Sequence, residues 1–366
     1  DFADKVIAAY PLATNYSDLF PQRNDNPLLE TNNPNTQNAE NMEIVFAIQF
    51  SPDDITNGGD ATNSNAVIGN DYHSIFGGSD DVPGSIARSS AYNRSQPRFN
   101  TTPAIYRMFD PEIDTRYNHN FLGKLYALQD ASGFKPTNSA DPIDIKKGDV
   151  VLEFRPWNSP ATSLAERGLD IGGSLPYAVI NTDEFGRIEI SKYHESDTTP
   201  MMWKFWEPGI PYDDALGTFD FALFRSAEAY LIAAEAIVKG ATGGNLGSAD
   251  VYYNTIVDRA LGANAGADPL QALVPEDITS LASRSYRATA ATIDIDMILD
   301  ERARELMGEY MRWYDLKRTG KLIERAIKYN PWTASSGSLE DHHLLRPIPQ
   351  QEIDLSSNKL DQNPGY

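Results

Sequence analysis

Cysteine is absent from the 366 residues, which excludes disulfides, thiolate zinc sites and thiol nucleophiles together and leaves the redox compartment open. Long apolar runs are absent too. The longest, Ala229 to Ala234, has six residues, against the roughly 20 that cross a bilayer. Positive charge is scarce: Lys plus Arg number 31 against 52 Asp plus Glu, a net charge of −21. Such a surface repels phosphate backbones and anionic lipid, so neither nucleic acid nor a membrane surface is expected as a partner. The chain opens at Asp1 rather than Met and reads as a mature or truncated product.

Histidine is limited to His73, His119, His194, His342 and His343, and no HExxH or related spacing joins them. The acidic pairs Asp53-Asp54 and Asp80-Asp81 lack the calcium-loop spacing with its closing Glu. No metal and no cofactor is expected. A GxSxG elbow is missing, and Gly77-Gly78 and Gly172-Gly173 precede no phosphate-loop residues. Carboxylates for glycoside hydrolysis are plentiful, among them Glu153, Glu166, Glu184, Glu189, Glu195 and Glu207, but abundance selects none of them.

What is present is enough apolar material for a sizeable core, 41% hydrophobic and 10% aromatic. Its organisation changes along the chain. Of 25 Asn, 19 lie at or before Asn181, and Asn, Gly, Pro and Ser favour turns over ladders, so 51–215 should be mostly loops with short strands. Residues 1–50 read as the end of a helix stopped by Pro11, followed by a buried strand from Glu43 to Phe50. Ile188 to Tyr193 and Met201 to Trp206 are further extended candidates.

Residues 216–366 read as helical. Phe219 to Lys239 carries the stripe Leu223, Ala227, Tyr230, Ala234 and Val238, and Gly240 stops it. Ser248 can cap a second helix with the stripe Tyr252, Ile256 and Ala260. A third begins near Thr292 and runs through Ile295, Leu299, Ala303, Leu306, Tyr310 and Trp313, with Gly308 marking a close approach or kink. Its charges fall into i,i+3 pairs such as Glu301–Arg304 and Arg302–Glu305, read as pinning one element against another. Lys321 to Tyr329 is helical, and beyond Trp332 the chain reads as extended.

Binding chemistry is best sought among aromatics in the loop-rich half: Tyr72, Tyr92, Trp157, Tyr177, Tyr193, Trp203 and Trp206, beside Asn, Asp, Ser and Gly. An aromatic face stacks on the apolar face of a pyranose while amides and carboxylates bind its hydroxyls. Trp157 and Trp206 are the leading platforms, with Tyr72 and Tyr92 secondary; Trp203, Tyr177, Asn158 and Asp71 complete the candidate set. Trp157 sits in the turn-rich Arg155-Pro156-Trp157-Asn158-Ser159-Pro160. In Met202 to Trp206, strand alternation would bury Trp203 with Phe205 and open Trp206 with Lys204. Trp313, on the helical stripe, is expected in the core, and Trp332 under a loop.

The segment Ile298-Leu299-Asp300-Glu301-Arg302-Ala303-Arg304-Glu305-Leu306-Met307-Gly308-Glu309-Tyr310-Met311-Arg312-Trp313-Tyr314-Asp315-Leu316-Lys317-Arg318-Thr319-Gly320 resembles the signature of SusD-like (RagB/SusD) proteins. Phe224 to Ala236, Arg346-Pro347-Ile348-Pro349-Gln350-Gln351-Glu352-Ile353 and Gln362-Asn363-Pro364-Gly365-Tyr366 resemble further motifs of that family, in the same order. The close match covers 219–366. Tyr310 departs from it, because the family usually has Gly there. The resemblance implies a single, mostly α-helical domain over 1–366, with tetratricopeptide-like helix pairs packed against a loop-rich, ligand-binding face. It also implies a non-catalytic, surface-exposed glycan-binding lipoprotein of the outer membrane, which delivers an oligosaccharide or polysaccharide to a SusC-like TonB-dependent transporter. A signal peptide, a lipidated Cys and further helices would precede Asp1 in the precursor. The net charge favours a neutral glycan, such as a glucan, although a local basic pocket could override the global field. A peptide- or protein-binding scaffold is the alternative, and a glycoside hydrolase a more distant one.

Overall fold

The computed structural model describes residues 1–20, 41–50, 69–76, 91–92, 98–134, 143–162, 177–182, 200–207, 217–272 and 283–366. The extended stretch read at Ile188 to Tyr193, with Tyr193, His194, and the acidic pairs Asp53-Asp54 and Asp80-Asp81, lies outside them. The chain opens with α1 (Phe2–Ala9) and β1 (Ile44–Ile48), then three short helices, α2 (Tyr72–Ile75), α3 (Pro103–Arg107) and α4 (Arg116–Asn120). Five strands follow: β2 (Lys124–Tyr126), β3 (Ala131–Phe134), β4 (Ile143–Ile145), β5 (Val150–Arg155) and β6 (Ala178–Asn181). After β7 (Phe221–Arg225) come α5 (Ser226–Val238) and α6 (Ala249–Leu261), the short β8 (Leu270–Gln271) and β9 (Arg284–Ser285), and α7 (Ile295–Glu305). The chain closes with α8 (Arg312–Arg318), α9 (Leu322–Tyr329), α10 (Pro331–Ser336) and α11 (Gln350–Leu355). It is a mostly helical fold with few short strands.

The helical core forms because the stripes meet. Ala227, Leu231 and Ala234 of α5 bury against Tyr252, Tyr253, Ile256 and Val257 of α6, and Ile298 of α7 joins them. Ile7 of α1 packs on the same cluster. Asp294 caps α7 by accepting the Met297 N–H at 2.7 Å, a bond that satisfies one orphan donor at the helix start. Ser248 does hold the N-cap position of α6 but makes no capping bond; its hydroxyl donates to Asp250.

Several boundaries differ from the sequence expectation. The helix expected from Phe219 begins only at Ser226, because Phe221–Arg225 pairs antiparallel with β1. That ladder satisfies both strands' backbone groups on one edge, which the local stripe could not reveal. β1 itself is not buried throughout: Phe46 and Ile48 are exposed. The third helix stops at Glu305 and resumes at Arg312, since Gly308 (φ 77°) and Tyr310 (φ 54°) both turn left-handed. Glycine enters that region without strain, whereas a bulky side chain seldom does. Tyr310 is held there by its hydroxyl, which donates to the Leu223 carbonyl at 2.9 Å. A Cβ on Gly308 would lie 2.5 Å from the Phe205 ring, so the close approach expected at this glycine is real. The break leaves Trp313 at 36% exposure under the Arg346 guanidinium rather than in the core. Beyond Trp332 the chain is not simply extended, because α10, a 3-10 turn at Asp341–Leu344 and α11 interrupt it.

In the loop-rich half, β5 is the centre of a three-stranded sheet, antiparallel to β2 and parallel to β6. One face of this sheet, with Leu125, Leu152, Phe154 and Ile180, packs on Tyr92, Trp203 and Trp206 to form a second core. A third cluster, around Tyr16, Phe20, Phe109, Phe121 and Phe205, lies with Met307 of the signature segment.

Candidate functional site

A buried ion network holds the loop-rich elements on the helical ones. Arg116 at the start of α4 donates to Glu301 at 2.6 Å and Glu305 at 3.0 Å, both on α7, and to Asp114 at 2.7 Å. Arg225, at the end of β7, donates to Glu305 at 2.5 Å, Glu43 at 2.7 Å and Glu309 at 2.8 Å. Arg259 of α6 pairs with Glu43 and Glu305. Lys204 reaches the left-handed turn, giving its three protons to the Glu305 and Met307 carbonyls and to Glu309. With Arg304 on Glu301, the network sets five cations (Arg116, Lys204, Arg225, Arg259, Arg304) against five carboxylates (Glu43, Asp114, Glu301, Glu305, Glu309). Balance of this kind makes burial tolerable, because an unpaired buried charge is far more costly than a paired one.

The electrostatics follow from that geometry. Burial alone would raise the Glu305 carboxyl, but Arg259, Arg225 and Arg116 outweigh it and hold the group far below the ordinary carboxylate range. Glu309 is also lowered, with burial opposed by Arg225 and Lys204. Burial pushes the Lys204 ammonium down to about 8 against the pull of Glu309. Of the pairs expected along the third helix, Glu301–Arg304 forms. Arg302 turns instead to Glu228 at 2.7 Å and Asp315 at 2.6 Å. Every group in the network is engaged in holding the fold, which fits a structural role for it.

The candidate binding residues divide into three groups. Trp203, Trp206 and Tyr92 are core residues. Trp203–Phe205 is a 3-10 turn rather than a strand, so alternation does not apply, and Lys204 and Trp206 are buried with their neighbours. Trp206 is 4% exposed, lies on the Trp203 ring at 4.9 Å and donates its indole N–H to the Ala91 carbonyl. The Tyr92 phenol is tied to the Tyr126 backbone. Trp206 and Tyr92 therefore present no face to a sugar, contrary to expectation.

Trp157, Asn158 and Tyr177 form the second group, and all are partly exposed. Trp157 and Asn158 occupy the turn after β5. The Trp157 indole donates to the Phe109 carbonyl at 2.9 Å and the Asn158 amide to Glu112 at 2.8 Å, which fixes both side chains. Tyr177, just before β6, donates to Glu153 at 3.3 Å. On β5, Glu153 and Arg155 alternate with the buried Leu152 and Phe154, so they stand on the second face of the sheet, which they share with the buried Val151 and Val179. Arg155 lies 3.4 Å from Glu153, and Lys124 of β2 is paired opposite it. The result is a ring, a carboxylate and a guanidinium, each partly exposed, on one sheet face, next in the chain to a fixed indole. Arg155 and Lys124 were not singled out from sequence, although the alternation Leu152, Glu153, Phe154, Arg155 was legible.

Tyr72 and Asp71 form the third group. Asp71 precedes α2, and Tyr72 packs its ring on Phe221, Phe205 and Phe76 at 4.4, 5.1 and 5.7 Å. Tyr72 lines a groove of about 520 Å³ that runs beside α7, α8 and α9. The groove is distinct in lining from the sheet face that carries Glu153 and Arg155, since it contains neither Trp157 nor Tyr177. No helix among the described residues is long and apolar enough to cross a membrane, and no group of three or more His, Asp or Glu among them could hold a metal.

Comparison with known proteins gives one consistent family. The SusD family profile matches residues 42–366. SusD-like protein P2 of Formosa agariphila is 30% identical over 145 residues, covering 39% of this chain and 25% of that protein. SusD-like protein P25 of the same organism is 28% identical over 173 residues, covering 46% and 29%. Among solved structures, surface glycan-binding protein A of Bacteroides thetaiotaomicron in complex with laminarihexaose superposes with a TM-score of 0.54 at 18% identity, over 99% of this chain and 58% of that one. A SusD homologue from the same organism gives 0.56 at 17% identity, over 100% and 58%. This chain therefore spans little more than half of those structures, and the matched region covers about a quarter of each Formosa relative. With the profile covering residues 42–366 and the fold shared with solved members, the chain belongs to the SusD family.

Proposed function

We propose that this protein binds an oligosaccharide or polysaccharide at the cell surface without cleaving it and passes it to a SusC-like TonB-dependent transporter. The observation that carries the reading is the SusD family match across 42–366. The fold neighbour solved in complex with laminarihexaose makes a glucan the first ligand to try, and the net charge of −21 favours a neutral glycan over an anionic one. The cellular setting that goes with this reading is the outer face of the outer membrane, with a lipid anchor on the precursor.

The partly exposed Tyr177, Glu153 and Arg155 of the β2–β5–β6 sheet and the turn after β5 make the binding site in this reading. Tyr177 and Trp157 supply apolar faces for sugar rings, while Glu153, Arg155 and Asn158 supply hydrogen bonds to hydroxyls. Removing one stacking ring costs on the order of 1–3 kcal/mol, about 5- to 150-fold in affinity, by analogy with hot-spot and base-stacking truncations. Trp157→Ala and Tyr177→Ala are each expected to weaken laminarihexaose binding by that factor, with thermal melts confirming the fold. Unchanged affinity in both folded variants would remove this face from the site.

A further inference from the structure

Two cations share one carboxylate on the β2–β5–β6 sheet. Lys124 of β2 stands directly across the antiparallel ladder from Glu153 of β5, and its Nζ lies 4.0 Å from the Glu153 Oε1. Arg155, two residues along β5 and therefore on the same face, brings its Nε to 3.4 Å from the same oxygen. The other carboxylate oxygen accepts the Tyr177 phenol at 3.3 Å. Among the described residues neither Lys124 nor Arg155 pairs with any other carboxylate. Glu112, the other acid of this site, is engaged by the Asn158 amide at 2.8 Å. The cations are also the more exposed, with 38% and 28% of their side chains open against 14% for Glu153. An incoming ligand therefore meets the cations first, with the carboxylate set among them.

Without Glu153, a lysine and an arginine side by side would draw an anionic sugar, and the guanidinium fork would bind its carboxylate through two parallel hydrogen bonds. Glu153 opposes this twice over. It takes up the field of both cations at contact range, and it repels a second carboxylate brought to them. A hydroxyl carries no charge and suffers neither effect, so a neutral sugar still bonds to the remaining N–H groups of Arg155. The net charge of −21 acts in the same direction, but charges further away than about 8 Å are largely screened at physiological ionic strength. Selection at the site itself therefore falls to Glu153. The same carboxylate fixes the Tyr177 ring: burial and Glu153 together push the phenol up, so it stays protonated as the donor.

Given the glycan-binding reading, on which this rests, we propose that Glu153 sets the charge class of the bound sugar: by occupying Lys124 and Arg155 it admits neutral glycans and turns away uronates. The test compares laminarihexaose with the same hexaose oxidised at every C6 to the carboxylate, so that the backbone is constant and the charge differs. Wild type is expected to bind the neutral hexaose more tightly by about tenfold or more. Glu153→Gln keeps the side chain's shape and an acceptor for the Tyr177 phenol while removing the charge. Its affinity for the oxidised hexaose should rise about tenfold, and raising salt from about 0.05 M to about 0.5 M should erase most of that gain. Its affinity for laminarihexaose should fall by no more than about fivefold and stay independent of salt. Lys124→Gln, which leaves Glu153 short of one cation, should move the ratio of the two affinities further towards the neutral sugar. That ratio decides the matter should Glu153→Gln fail to fold, and an unmoved ratio counts against the proposal. Failure of the wild type to bind either hexaose would overturn the glycan reading and this proposal with it. Laminarihexaose binding by the wild type, with equal affinity for the oxidised sugar or with no salt-sensitive gain in Glu153→Gln, would overturn the role of Glu153 alone.

Discussion

Glu305→Ala is expected to destabilise the protein by about 3–5 kcal/mol, the range for removing one partner from a buried ion pair. Glu305 receives Arg116, Arg225 and Arg259 at once, and all four side chains are almost wholly buried. Without its carboxylate the network would hold five cations against four anions, away from water. The effect belongs to burial rather than to charge alone, so the exposed pair Lys321–Glu324 at 3.2 Å serves as the control. Glu324→Ala should change stability by no more than about 0.5 kcal/mol. Denaturant unfolding of both variants gives the comparison. A loss below about 1 kcal/mol for Glu305→Ala would mean that the network contributes far less than its burial implies.

Acid should unfold the protein through the same groups. The carboxyls of Glu305 and Glu309 are lowered in the fold from an ordinary value of 4.5, and Asp296 from 3.8, where Arg325 and Lys321 outweigh the opposing effect of burial. A group whose folded pKa lies below its unfolded one binds fewer protons in the native state. Its stabilisation is complete above the unfolded value and is lost as pH falls from there towards the folded value. The melting temperature should therefore stay nearly level from pH 7 to about 5 and drop steeply below about 4.5. Glu305→Gln should flatten the acid limb, because the most strongly lowered carboxyl is gone. An acid limb of equal steepness in wild type and Glu305→Gln would assign the acid sensitivity to other groups.

How much of this was legible in the sequence depends on whether the relevant contact is local. The α6 stripe Tyr252, Ile256 and Ala260 is fully buried as its period requires, and α5 ends near the Gly240 that marks it. A period of 3.6 is a local signal and survives without knowledge of the fold. β7 was missed because Phe221–Arg225 is apolar enough to continue the following helix, and its partner β1 lies far away in the chain. The break in the third helix could be read at Gly308 but not at Tyr310, whose left-handed turn depends on a hydrogen bond to Leu223. At the site, Trp157 and Tyr177 are both partly exposed, whereas Trp206 was misplaced by assuming a strand over five residues. Runs that short fit several periods, and the 3-10 turn at Trp203–Phe205 puts consecutive side chains into the core instead. Buried charge was the least legible feature, since Glu305 or Arg116 in a sequence looks the same whether it faces water or three charged partners.

Isothermal titration of this chain with laminarihexaose, followed by chromatography of the recovered sugar after long incubation, tests the central claim most directly. Saturable binding with the hexaose recovered intact is the predicted result. Shorter products, or no binding to laminarihexaose or to any of a panel of neutral polysaccharides, would contradict it.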